Sequence, residues 1–266
     1  MKLSKKKILN INILKPLVVS FITFIIRYFY VNVYLGFYNN QVTIAQGVRS
    51  QIYFGGILID YSFDIISLSF YVILFILEIC YLTMDLFNET NDNLIILLAR
   101  YKKNNVIYKE MLIKVLIRNC VLLLTNYIMF VLVERTSNWG QDIKIIFMLL
   151  IEIFSLQIVS YLFSFWKDSI IGYIVAFSIF FIPIMMCGFY YSIVNNIWRM
   201  GHYSMLHIPI FNWHNKLILY YVEENYEWTT SSIDLLDFKI CCIISIILSI
   251  ILIWIGKILC DKKQVL

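Results

Sequence analysis

Residues 143–166 read IKIIFMLLIEIFSLQIVSYLFSFW, and residues 169–194 read SIIGYIVAFSIFFIPIMMCGFYYSIV. Only Lys144 and Glu152 carry charge in the two runs, and only Lys167 and Asp168 lie between them. About 20 apolar residues cross the hydrocarbon core of a bilayer as one helix. Each run is long enough, so the pair reads as a tight transmembrane hairpin. Working outward, the same reading gives further spans at 111–133, 64–86 and 14–36, and a last one at 239–258. Hydrophobic residues make up 61% of the 266 residues, against about 45–50% in a soluble chain. The expected fold is therefore all-α: a polytopic membrane protein of six transmembrane helices in one domain over 1–266. The remaining segments are too short for an ATPase or catalytic domain, which needs about 100 residues.

Lys and Arg set the orientation. With the N-terminus inside, the inner side holds fifteen of them, the outer side six, and Arg27 lies within span one. Both termini are thus expected in the cytoplasm. The net charge of +5 suits inner loops near anionic lipid and calls for no nucleic acid. The run before span one, Lys2 to Lys7, could head a leader peptide. The apolar stretch is too long for that and no Ala-x-Ala site follows, so it reads as a retained span. Five of the six cysteines fall in spans and Cys260 follows the last, with no Cys-x-x-Cys spacing, so neither disulfide nor metal is expected. Abundant Ile, Asn, Lys and Tyr with scarce Ala suggest an AT-rich bacterial genome, and so a bacterial plasma membrane.

Between spans the chain is punctuated. Residues 1–13 place Ile8, Ile11 and Leu14 at helical spacing beside lysines, as in an amphipathic surface helix, with Pro16 opening span one. Residues 37–63 read as an outer loop. Thr90, Asn91 and Asp92 supply caps for a short inner helix over about 91–103, with Leu94, Leu97, Leu98 and Tyr101 on one face. Asn104-Asn105 ends it. Pro183 is expected to kink span five. The outer stretch over about 199–222 is aromatic and apolar yet too short to cross, which suits a re-entrant segment.

This organisation resembles the type-2 ABC transporter permeases. Members have an amphipathic N-terminal helix, six spans, and a cytoplasmic coupling helix between spans two and three. A tight turn follows span four, and a re-entrant segment follows span five. The closest local likeness is Glu89 to Tyr101, followed by Tyr108-Lys109 and Lys114. The resemblance implies a separate ATP-binding subunit docked on the coupling helix through Asn93, Arg100, Lys102 and Lys103. The alternative for that helix is retention by lipid alone. It also implies a second permease copy or a homologous permease, and a peptide or amphiphile as substrate, in the manner of bacteriocin or antimicrobial-peptide export and immunity. No Gly-x-x-x-x-Gly-Lys-Ser/Thr run is present, so any ATP would be held by the partner and this chain needs no cofactor.

Arg27, Glu78, Glu152 and Arg118 fall within apolar runs. A charge at mid-bilayer costs about 2.5–3.5 kcal/mol on insertion scales, so each should find a partner or a wet cavity. Arg27 is expected to pair with Glu78 or Glu152, and Arg118, near the inner end, to snorkel. The pairing reads either as packing or as part of a substrate path. His202, His207 and His214 lack the spacing of a metal pair. Glu223 and Glu224 lie outside the spans, and no Gly-x-Ser-x-Gly elbow is present. No enzyme is therefore expected. The other class open to the chain is a stand-alone secondary transporter, or an immunity or scaffold protein without an ATPase.

Overall fold

The computed structural model of the chain describes residues 2–37, 48, 58–59, 62–63, 65–92, 104–134, 139–166, 170–179 and 238–262. Six helices emerge: α1 Lys2–Phe37, α2 Ile65–Asp92, α3 Asn104–Glu134, α4 Trp139–Trp166, α5 Ile170–Ile179 and α6 Phe238–Lys262. Two short strands, β1 Leu58–Ile59 and β2 Ser62–Phe63, form an antiparallel ladder with Leu58 opposite Phe63. Among the described residues five helices (α1 to α4 and α6) are long and apolar enough to cross a membrane.

Cross-helix pairs fix the directions. Lys15 meets Asp85 and Arg27 meets Glu78, so α1 and α2 run antiparallel. Asn12 meets Arg118 and Ser20 meets Asn126, so α1 and α3 run parallel. Asn119 meets Gln157, with Tyr108 near Tyr161, so α3 and α4 run antiparallel. Ser155 meets Ser249 and Met148 meets Cys242, so α4 and α6 run parallel. The alternation puts the start of α1 and the end of α6 on one side of the bundle. At that end an aromatic cluster closes the core, with Phe87, Tyr108 and Tyr161 packed beside Cys260.

Polar side chains are drawn into a largely apolar core, while many apolar side chains face outward. On α1 the buried face carries Asn12, Ser20, Thr23 and Arg27, whereas Leu14, Val18, Phe21, Phe29 and Val33 are exposed. On α6 the buried positions include Ser245 and Ser249, and Ile243, Ile247, Ile250 and Trp254 face out. Water would penalise such an exterior, while hydrocarbon accepts it and leaves the polar groups to satisfy one another. The chain is a multi-pass membrane protein.

Several expectations are corrected. No break separates a surface helix from span one: α1 runs for 36 residues with Pro16 inside it. Pro16 removes only the bond to the Asn12 carbonyl, a loss that membrane helices tolerate. At about 1.5 Å per residue α1 is about 54 Å long, so it outreaches a hydrocarbon core of about 30 Å. Thr90, Asn91 and Asp92 lie within α2, Ile65–Asp92. The segment 37–63, expected as a loop, contains the β1–β2 ladder. Asn104 and Asn105, expected to end the preceding helix, are themselves helical in α3. Span five is described only over Ile170–Ile179. The proposed coupling helix over about 91–103, from Asn93 onward, lies outside the described residues, as do Pro183, the three histidines and the re-entrant stretch over about 199–222.

Candidate intramembrane charge site

Glu78 is the middle residue of the apolar window Ser69–Phe87. Of the two carboxylates open to Arg27, Glu78 is the one it meets. Arg27 Nη1 donates to Glu78 Oε1 at 2.7 Å and Nη2 donates to Oε2 at 2.9 Å. This fork-on-fork geometry is the strongest form of the pair. Arg27 is 1% and Glu78 3% exposed. The Thr23 hydroxyl lies 2.5 Å from Glu78 Oε1 and 2.9 Å from the Val19 carbonyl. Its single proton goes to the stronger acceptor, the carboxylate. Thr23 and Arg27 are one turn apart, so α1 grips Glu78 from one face. Tyr71 on α2 and Glu152 on α4 are likewise buried. All three expected intramembrane charges are therefore buried in the bundle.

A second charged layer lies seven residues along α2. Arg118 does not snorkel: it is 2% exposed. Its Nη1 donates to Asp85 Oδ1 at 2.8 Å and Nη2 to Oδ2 at 3.1 Å. Nη1 also donates to the Leu82 carbonyl and Nε to Asn12 Oδ1. The reason is local. Asp85, the Leu82 carbonyl and Asn12 stand beside Arg118 and take four of its five N–H donors. Lys15 donates to Asp85 Oδ1 at 2.8 Å and lies 4.5 Å from the centre of the Tyr81 ring. Between and beside the two layers run neutral bonds: Ser20 to Asn126, Asn119 with Gln157 in a reciprocal amide pair, and Thr83 with Tyr173.

Sequence reasoning missed Asp85, Lys15, Asn12, Thr23 and Asn126 as members of this network. A signal existed. Asn12, Ser20, Thr23 and Arg27 recur close to multiples of a helical turn, and Glu78 and Asp85 are two turns apart. Asn93, Arg100, Lys102 and Lys103 lie outside the described residues. Among the described residues no group of three or more His, Cys, Asp or Glu side chains could hold a metal ion.

The fold and the charge layers thus define a class, a helical multi-pass membrane protein with a polar interior. Comparison with family models, curated proteins and solved structures gives no match.

Proposed function

We propose that the chain is the membrane-spanning permease subunit of an ATP-driven ABC exporter. In this reading it forms half of a translocation path in a bacterial plasma membrane, with both termini cytoplasmic. A second permease copy or a homologous permease supplies the other half. A separate ATP-binding subunit docks on the segment 91–103 through Asn93, Arg100, Lys102 and Lys103. The substrate is a peptide or amphiphile, which fits a bacteriocin or antimicrobial-peptide export and immunity role.

The observation that carries this reading is the order of elements along the chain. A long basic-headed helix comes first and a short basic segment separates α2 from α3. Only three residues then separate α4 from α5. A second reading, a stand-alone transporter or immunity protein, draws on the Arg27–Glu78 pair, because carriers keep ionisable groups at mid-membrane. A tagged pull-down in mild detergent separates them. The exporter reading expects an ATPase subunit with the wild type and its loss with Arg100→Glu, Lys103→Glu. Absence of any ATPase from the intact wild type would favour the stand-alone reading.

A further inference from the structure

We propose that Lys15, set beside the Arg118–Asp85 pair, binds the phosphate of an anionic phospholipid in the leaflet facing the start of α1. The inference needs the helix bundle alone; it depends on neither the exporter reading nor the side of the cell that this leaflet faces.

The charge count is the first argument. Two cations share one carboxylate: Arg118 takes Asp85 through both oxygens, and Lys15 takes Oδ1 as well. The nearby Lys114 is balanced separately by Glu110 at 3.6 Å. Among the described residues the cluster therefore keeps one unit of positive charge. An ammonium has three N–H donors. Lys15 spends one on Asp85 and holds its charge against Tyr81, which leaves donors for an incoming anion.

Depth and access are the second argument. Lys15 stands three residues inside the window Asn12–Val33, and Asp85 two residues from the end of Ser69–Phe87. That is about 3–5 Å along the helix axis from the window ends, the depth at which a Lys head reaches the headgroup layer. The Arg118 side chain is sealed, but the Asp85 side chain is 44% exposed and that of Lys15 19%. Leu14, Val18, Tyr81 and Met84 flank the pair and face outward. A lipid whose tails lie along these residues would bring its phosphate to Lys15. A zwitterionic lipid brings its own cation and gains less. Basic sites between membrane helices recognise anionic headgroups in this way.

The test uses the purified full chain in detergent and native mass spectrometry. Dioleoylphosphatidylglycerol is compared with dioleoylphosphatidylcholine. Wild type retains the glycerol lipid preferentially. Lys15→Gln, which leaves the Arg118–Asp85 pair in place, lowers that retention about fivefold. Lys15→Arg restores it, and Lys257→Gln, a cation near the same end of α6, leaves it unchanged. Asp85→Asn adds a unit of net charge and raises retention, so a poorly folded Lys15 variant would not remove the test. Equal retention of the two lipids overturns the proposal, as does an equal loss in the Lys257 variant or an Asp85→Asn variant with unchanged preference. Displacement of the lipid by millimolar inorganic phosphate would assign the site to a free anion and overturn it too.

Discussion

Arg27 and Glu78 are each strongly disfavoured in hydrocarbon, and each is acceptable because the other is there. Removing one partner leaves a buried charge unmatched, a loss of about 3–5 kcal/mol. Arg27→Met and Glu78→Met should each lower stability in detergent by that order, read from denaturant unfolding followed by circular dichroism. The Arg27→Glu, Glu78→Arg swap should recover folded protein that either single reversal loses. The corresponding swap of Arg27 with Glu152 should recover none, because Glu78 would then face a second carboxylate. The charges themselves were legible in the sequence, since any ionisable residue amid an apolar run is conspicuous. Their partners were not. Periodicity says which residues share a face of one helix, but which helix lies opposite is set by tertiary packing. That is why Glu78 and Glu152 stood level as partners for Arg27. It is also why Arg118 read as a snorkelling residue until Asp85 was placed beside it.

At the scale of elements, two glycines set how closely helices approach. A Cβ on Gly172 of α5 would run into the backbone carbonyl of Ser160 on α4. A Cβ on Gly256 of α6 would meet the Tyr108 hydroxyl and ring of α3 and the Leu162 side chain at 3.2 Å. Small residues at such crossings let membrane helices pack backbone to backbone. Gly172→Ala should destabilise by about 1–3 kcal/mol. Gly256→Ala should have the smaller effect, because a side chain can shift where a backbone carbonyl cannot. Thermal unfolding of the two variants in one detergent checks the ranking, and the reverse order would contradict it. Element identity was well marked in the sequence: 14–36, 111–133, 143–166 and 239–258 fall within α1, α3, α4 and α6, and 64–86 overlaps α2 from Ile65 onward. Element ends were not. Hydropathy marks where lipid begins, whereas a helix continues until its backbone finds another partner, so α2 runs to Asp92 and α1 starts at Lys2. The β1–β2 ladder gave no signal, since two paired residues per strand are too few for a period of two to register.

Among the described residues the bundle holds ion pairs and amides within a largely apolar core, and isoleucine, leucine and phenylalanine cover its outside. This is its central property, because every functional reading of the chain presumes that the outer face meets lipid. Polar side chains bonded across α1 to α4 and α6 satisfy one another where water is excluded. The most direct test is spin-label accessibility in lipid vesicles. Single cysteines would be placed at Phe29, Leu124 and Ile250, three exposed apolar positions on α1, α3 and α6, in a chain freed of its six native cysteines. The account predicts that molecular oxygen, which partitions into hydrocarbon, relaxes all three labels, while a water-soluble nickel chelate does not reach them. Ready relaxation of those labels by the nickel chelate would contradict it.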